Sequence, residues 1–265
     1  MSKVQIKANG IDIYYESHGK GEPLVLIAGY TGDHTFWRLI VDELAEQFQV
    51  IIFDNRGVGQ TKDRGLSFTL DTMVEDTIAL IQQLGLVRPH IIGQSMGGAI
   101  AQGIARRHAD KINKLVILNS TSQFTRRSMM AVETFLHFQQ ENLSLDSFAE
   151  SCMTWFFSST YLSQPENIAA FKELLKNNPY PQSLADQKRQ FEVLLSFDSS
   201  KWLHEIISPT LVIAAKDDII TLPTEGEFLA KGIAKAQFNL IPGGHSSPVE
   251  QVQEMNRILI KFLTS

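Results

Sequence analysis

The chain has one cysteine, no long apolar run and no excess of positive charge. Among its 265 residues only Cys152 carries a thiol, so no disulfide can form within the chain, and a reducing, cytoplasmic location is expected. No stretch approaches the roughly 18 apolar residues of a membrane-spanning helix, and the first ten residues do not resemble a secretory signal. The net charge of −5 offers no basic surface, so neither nucleic acid nor membrane is an expected partner.

The sequence also lacks the usual spacings of metal ligands. There is no pair of histidines at i, i+4 spacing and no cluster of cysteines that would hold zinc. We therefore expect no bound metal and no cofactor. The content of hydrophobic residues, 43%, and of charged residues, 20%, is typical of a globular domain.

Short β-branched runs predict a series of strands. The first two runs alternate apolar and polar residues on either side of Asn9-Gly10, a dipeptide typical of two-residue hairpin turns. The later runs are continuously apolar, as in parallel strands that are covered on both faces. Between them, residues with helical spacing predict helices over 33–48, 70–84 and 248–263. Ser247 and Glu250 form a predicted capping box at the start of the last helix.

Strand and helix patterns alternate along most of the chain, but the alternation stops between about 121 and 201. That segment has no β-branched run and is rich in Phe, Met, Leu, Gln and Glu. It is too long for a plain connection. We therefore predict an α/β core formed by residues 1–120 and 202–265, with a helical cap formed by residues 121–201.

One serine is surrounded by glycines, in the stretch Gly93-Gln94-Ser95-Met96-Gly97. The pattern G-x-S-x-G follows an apolar strand and opens a helical stretch, which is the context of a nucleophile elbow. A sharp turn there would lift the hydroxyl out of the sheet, and the helix N-terminus would place free N–H groups beneath it. Ser95 is therefore the candidate nucleophile.

A serine nucleophile needs a base, and the base needs an acid to orient it. His245 follows two glycines and an apolar strand and precedes the last helix, which makes it the preferred base; His34 is a distant second choice. Asp217 and Asp218 follow another apolar strand, at the sheet edge where sites form. The resulting chain order of serine, aspartate and histidine is that of α/β-hydrolases.

Over nearly its whole length the chain resembles the α/β-hydrolase superfamily. The resemblance rests on the segments PLVLIAGYTGDHTFW, FDNRGVGQT, GQSMGG, LVIAAKDD and GGHSSPVEQ. It implies an eight-stranded, mostly parallel sheet with helices on both faces and a cap inserted after strand 6. Matched to the family motif Gly-x-x-Asp, with Ala215 in place of the glycine, the acid is Asp218. By the same matching, the N–H groups of Tyr30 and Met96 form the oxyanion hole.

Two further departures from the family pattern concern the loops around the site. Ala28 stands where a histidine usually braces the oxyanion loop, and Thr61 replaces the serine that usually ends the DNRGVGQT turn. Neither change removes a catalytic group. Arg56, in the same turn, is interpreted as a structural ion-pairing residue.

Aromatic and Met residues of the cap predict a largely apolar substrate pocket. The candidate pocket residues are Trp37, Phe124, Met129, Phe135, Phe138, Trp155 and Phe156. The leading hypothesis is a serine hydrolase that cleaves a small to medium carboxylic ester. The alternatives are a lactonase resembling 3-oxoadipate enol-lactonase, a methyl esterase acting on an acyl carrier protein, a cofactor-free haloperoxidase, or a ligand receptor on the same fold. An anionic lactone would need a cation in the pocket, for which Arg126 and Arg127 are candidates.

Overall fold

An eight-stranded sheet organises residues 2–265, the part of the chain that the computed structural model describes. Its strands are β1 (Ser2–Ala8), β2 (Ile11–His18), β3 (Glu22–Ile27), β4 (Phe48–Phe53), β5 (His90–Gln94), β6 (Leu115–Leu118), β7 (Thr210–Ala215) and β8 (Gln237–Ile241). Their order is β1-β2-β4-β3-β5-β6-β7-β8. The β1–β2 and β2–β4 pairs are antiparallel and the others are parallel, which confirms the predicted mostly parallel sheet.

The predicted hairpin between β1 and β2 is also confirmed. Ala8 pairs with Ile11, so Asn9 and Gly10 form a two-residue turn. Both have positive φ angles, 46° and 77°, as a type I′ turn requires.

Helices cover both faces of the sheet. They are α1 (Arg38–Leu44), α2 (Leu70–Gln83), α3 (Met96–Arg107), α4 (Arg126–Gln140), α5 (Leu145–Phe156), α6 (Ser159–Leu162), α7 (Pro165–Lys176), α8 (Leu184–Ser196), α9 (Pro223–Gly232), α10 (Ser247–Glu250) and α11 (Val252–Leu263). Helices α2, α3 and α9 contribute to one apolar core and α1 and α11 to the other. None of the described helices has the length and apolarity needed to cross a membrane.

The single helix predicted over 33–48 is wrong. A 3-10 turn covers His34–Trp37 and α1 ends at Leu44. Phe48, the last residue of the apolar repeat, begins β4 and is buried there. The repeat continued past α1 because the chain turns directly into a strand whose first residue is also apolar.

The predicted capping box at the C-terminal helix is also wrong. The helix is divided into α10 and α11 at Gln251, and Ser246 is the N-cap residue of α10. The Ser247 hydroxyl accepts a hydrogen bond from Asn119 Nδ2 at 2.7 Å. The Glu250 carboxylate accepts one from the backbone N–H of Gly244 at 2.9 Å. Both side chains therefore bond residues outside the helix rather than N–H groups of its first turn.

Five helices, α4 to α8, form the cap between β6 and β7. The chain enters and leaves the cap side by side, because Gln123 pairs with Asp198 and the Ser199 N–H donates to the Ser122 carbonyl at 2.8 Å. This crossing lies just inside the predicted limits of 121 and 201, which remain predictions. The cap is joined to the core by polar contacts such as that of Arg189 Nη1 with Asp63 Oδ2 at 2.9 Å.

Candidate active site

Ser95 lies at the junction of β5 and α3 in a strained backbone conformation. Its φ and ψ angles are 55° and −119°, a region that non-glycine residues enter only where the surrounding structure imposes it. A Cβ atom on Gly93 would lie 2.1 Å from the Gly97 carbonyl oxygen, and one on Gly97 would lie 2.1 Å from the Ile27 carbonyl oxygen. Glycine is therefore required at both positions because backbone fills the space that a side chain would need.

An imidazole–carboxylate pair lies in the loops that follow β7 and β8. His245 Nδ1 is 2.8 Å from Asp218 Oδ2, and both residues are buried. The second carboxylate oxygen, Oδ1, accepts hydrogen bonds from the N–H groups of Ile220 and Thr221 at 2.8 and 2.9 Å. Asp217 is exposed. The residues alone left both aspartates as candidates for the acid. The structure brings Asp218, and not Asp217, to the histidine.

Ser95 and His245 line the same cavity, beneath the cap. The cavity has a volume of about 210 Å³. Its lining residues are Gly29, Tyr30, Thr31, Gly32, Phe36, Gln94, Ser95, Phe124, Ser128, Met129, Val132, Phe135, Phe156, Phe171, Leu175, Leu194, Ile220, His245 and Ser246. The hydroxyl, the imidazole and a small apolar space are thus brought together in one place.

Two backbone N–H groups beside Ser95 are available to bind an anion. A Cβ atom on Gly29 would lie 3.0 Å from Ser95 Cβ, so the loop that carries Tyr30 packs directly against the serine. Met96 is the first residue of α3, where N–H groups have no partner within the helix. Within residues 2–265, no protein group accepts a hydrogen bond from the N–H of Tyr30 or of Met96.

The loop containing Tyr30 is braced without the histidine that Ala28 replaces. Asn55 Nδ2 donates to the Ala28 carbonyl at 3.0 Å, and the Thr31 N–H donates to Gln190 Oε1 of the cap at 3.0 Å. The Tyr30 hydroxyl donates to the Gln187 carbonyl at 3.2 Å. Burial raises the pKa of Tyr30, which keeps this hydroxyl protonated as a donor.

His34, the second choice for the base, lies outside the cavity lining. Its backbone N–H and its Nδ1 both contact Asp54 Oδ1, at 2.8 and 2.7 Å. Burial alone would lower the pKa of His34. The hydrogen bond and charge of Asp54, with Asp33 and Glu16 nearby, outweigh that effect, so the pKa is raised above its ordinary value. The residue is thus a structural ion-pair partner.

Asp33, His34 and Asp54 bring three ligand atoms within 4.8 Å of one another, the spacing of a metal site. All three side chains already make hydrogen bonds, since His34 contacts Asp54 and Asp33 Oδ1 accepts from the backbone and hydroxyl of Thr35. These contacts account for the cluster without an ion.

Three of the seven predicted pocket residues lie elsewhere. Phe124, Met129, Phe135 and Phe156 line the cavity, whereas Trp37, Phe138 and Trp155 do not. Trp37 is fully buried in the core of the sheet beside α1, and its neighbour Phe36 reaches the cavity instead.

Phe138 and Trp155 pack against the small core of the cap, formed by Ala131, Phe135 and Cys152. Burial raises the pKa of Cys152 to about 12, so its thiol is neutral and packs as a small apolar group. The prediction missed most of the lining, including Phe171 and Leu175, because composition alone does not distinguish a cap's own core from its inner wall.

The cavity lining contains no Lys, Arg, Asp or Glu. Arg126 pairs with Glu133 on the outer surface of α4, and Arg127 is exposed, so neither faces the cavity. Arg56 contacts Asp76 through Nε and Nη2, at 2.8 and 2.6 Å, in agreement with its interpretation as a structural ion pair.

The comparisons with known proteins agree with this fold. A family model described as alpha/beta hydrolase fold matches residues 22–251, so the chain belongs to that family. It is 27% identical over 259 residues to a protein of Caulobacter sp. strain K31 provisionally named carbamate hydrolase RutD, covering 95% of this chain and 96% of that protein.

Two solved structures are also similar. The thermophilic esterase of Thermogutta terrifontis has a TM-score of 0.86 at 26% identity, covering 100% of this chain and 98% of its own. The enol-lactonase of Burkholderia xenovorans LB400 has a TM-score of 0.87 at 22% identity, covering 98% of this chain and 100% of its own. This likeness shows a shared fold alone. The family, the Caulobacter relative and the esterase support hydrolase activity.

The raised pKa of His34 predicts a pH-dependent contribution to stability. Protonated His34 stabilises the fold below the ordinary histidine pKa of about 6.5, and this contribution is lost as the pH rises through the raised value. His34→Gln should therefore lower the free energy of unfolding, measured with urea, more at about pH 6 than at about pH 9. The control is His204→Gln, at an exposed position. A His34→Gln effect of equal size at both pH values would contradict the charged pair with Asp54.

Proposed function

We propose that the protein is a serine hydrolase that cleaves small to medium, uncharged carboxylic esters through an acyl-enzyme on Ser95. The observation that carries the proposal is that a hydroxyl on a strained turn and an imidazole held by a buried carboxylate line one cavity. Two backbone N–H groups at this site, those of Tyr30 and Met96, have no protein acceptor within residues 2–265.

Each group has a role in the proposed reaction. With Nδ1–H donating to Asp218, His245 presents Nε2 as the acceptor for the Ser95 proton. The Ser95 oxygen attacks the ester carbonyl, and the N–H groups of Tyr30 and Met96 stabilise the resulting oxyanion. The intermediate collapses, and the protonated His245 gives its proton to the departing alcohol. Water, deprotonated by His245, then releases the acid and restores Ser95.

The cavity walls favour a small, uncharged acyl group. The lining residues are largely apolar and include no Lys, Arg, Asp or Glu, and the Ser128 hydroxyl already donates a hydrogen bond to the Ile220 carbonyl at 2.5 Å. A carboxylate in this space would lose its hydration without gaining a cation, which is costly. The volume of about 210 Å³ lies below the roughly 300–1,000 Å³ of sites for drug-sized ligands.

A lactonase is the second candidate, because a lactone is a cyclic ester and is opened by the same chemistry. The uncharged wall favours neutral lactones over the anionic enol-lactone of 3-oxoadipate. The provisional name of the Caulobacter relative, carbamate hydrolase, adds carbamates to the substrates worth testing. A carrier-protein methyl ester remains an alternative whose recognition would lie on the surface, outside this cavity.

Labelling with a fluorophosphonate tests the proposed function. The reagent should modify Ser95 in a 1:1 ratio and abolish hydrolysis of p-nitrophenyl butyrate, as measured by mass spectrometry and absorbance. Ser95→Ala should show neither labelling nor turnover. Labelling that persists in Ser95→Ala would place the nucleophile elsewhere. Ester binding without turnover in the wild type would instead indicate a receptor.

The adjacent aspartates provide a matched pair of variants. Asp218→Asn should lower kcat by about 10⁴-fold, because the amide cannot fix the required imidazole tautomer. Asp217→Asn makes the same chemical change at an exposed position and should leave kcat nearly unchanged. Steady-state kinetics on folded protein, checked by circular dichroism, provides the comparison. Equal losses in the two variants would contradict the assignment of the acid.

Discrimination between neutral and anionic acyl groups tests the substrate class. The p-nitrophenyl esters of pentanoic acid and of succinic acid have acyl chains of similar length, but the succinyl chain ends in a carboxylate. We expect kcat/KM to be at least about 10²-fold higher for the neutral ester, through the cost of burying an unpaired charge. Introducing a cation with Leu175→Arg should reduce this ratio. Comparable kcat/KM values in the wild type would reject the neutral-acyl assignment while leaving the serine mechanism intact.

A further inference from the structure

The backbone on both sides of His245 is linked to the cap, directly on one side and through Glu250 on the other. Ser246, which follows the histidine, donates its N–H to the Phe156 carbonyl at the end of α5 at 2.8 Å. Gly244, which precedes it, donates its N–H to Glu250 Oε1 at 2.9 Å. The same carboxylate accepts from the N–H of Ser158, at 3.2 Å to Oε1, and from the Ser158 hydroxyl.

The two segments are in direct contact. A Cβ atom on Gly244 would lie 2.8 Å from Phe157 C and from Ser158 N, and 2.9 Å from the Phe156 carbonyl oxygen. All three atoms belong to the backbone, so they could not move aside as the end of a side chain could. The histidine loop and residues 156–158 of the cap are therefore packed as one unit.

We propose that Glu250, acting through Ser158 and Gly244, is a positioning residue for His245. We call this set of contacts the Glu250 clamp. The proposal rests on the proposed function, since it assigns His245 the role of the base. The core holds the histidine through Asp218 and through Asn119 Nδ2, which donates to the His245 carbonyl at 2.9 Å. The clamp supplies the restraint from the opposite side, the cap.

Through the clamp, the cap holds His245 in place in addition to enclosing the substrate. Phe156 lines the cavity, and its ring centroid lies 6.1 Å from that of His245. Phe157 stacks on Tyr161 at 4.7 Å and meets Phe171, another lining residue, edge-on at 5.4 Å. The residues that shape the acyl space thus belong to the same segment that holds the base. Movement of this part of the cap would displace the imidazole from Ser95.

Two variants of the clamp and a matched control test the proposal. Glu250→Gln replaces an acceptor oxygen with an N–H₂ group that cannot accept from Gly244 or Ser158, and Ser158→Ala removes a single hydroxyl donor. Glu254→Gln makes the same change as Glu250→Gln four residues later, where the carboxylate contacts Arg257 at the surface. Turnover of p-nitrophenyl butyrate is measured and expressed per active site, with active sites counted by fluorophosphonate labelling run to completion.

Glu250→Gln should lower kcat per labelled site by roughly 10²-fold, as expected for a misplaced catalytic group, with little change in KM. Ser158→Ala should show a smaller loss of about tenfold, and the double variant should lose less than the product of the two single effects. Glu254→Gln should match the wild type.

A purely structural role would give a different result. It would lower the melting temperature or the fraction of protein that can be labelled, but kcat per labelled site would stay unchanged. A kcat per labelled site within about twofold of the wild type in both clamp variants would overturn the proposal. Failure of the proposed function is distinguishable, because the wild type itself would then neither label at Ser95 nor turn over the ester.

Discussion

The sharp turn at Ser95 is the constraint on which the rest of the site depends. The positive φ angle of Ser95 is held by β5 before it and α3 after it, and the turn can form only because Gly93 and Gly97 leave room for neighbouring backbone. The same turn places the hydroxyl at the floor of the cavity and the N–H of Met96 beside it. A larger residue at either glycine would move the nucleophile and the oxyanion donor together.

The other groups reach Ser95 from loops that are distant in sequence, and polar contacts hold these loops in place. Asn119 and Gln94 of the core both donate to the His245 carbonyl. The cap contributes Gln190, whose amide accepts from Thr31 and donates to the Arg56 carbonyl. A buried loop needs partners for its backbone groups, and here those partners are side chains of the neighbouring loops. The site and the cap therefore depend on each other for their geometry.

Features that depend only on neighbouring residues could be predicted from the local sequence. The Asn9-Gly10 hairpin, the strands and the strand–turn–helix at Ser95 each follow from a short window of the chain. The choice of Asp218 over Asp217 needed the family pattern, because two adjacent carboxylates look alike until the turn after β7 is built. Phe36 and Trp37 show the same limit, since which of them faces the cavity depends on the 3-10 turn that contains both.

Two contacts between distant segments could not be predicted from the sequence. The Ser247–Glu250 pair has the spacing of a capping box, yet Glu250 binds Gly244 and Ser158, the latter 92 residues away. Likewise, Asn55, which follows β4, donates to the Ala28 carbonyl just past the end of the neighbouring β3, in a loop where the usual histidine is missing. In both cases the partner lies in a segment that no short window of the sequence contains.

The most direct test of covalent catalysis is to trap the acyl-enzyme. The protein is mixed with the p-nitrophenyl ester of trimethylacetic acid, whose hindered acyl group is slow to leave. The reaction is quenched with acid during the first turnovers and analysed by mass spectrometry. The account predicts a mass increase of one trimethylacetyl group, located on Ser95, formed at the rate of the initial p-nitrophenol release. Ester hydrolysis that proceeds while Ser95 stays unmodified, or with the acyl group on another residue, would contradict it.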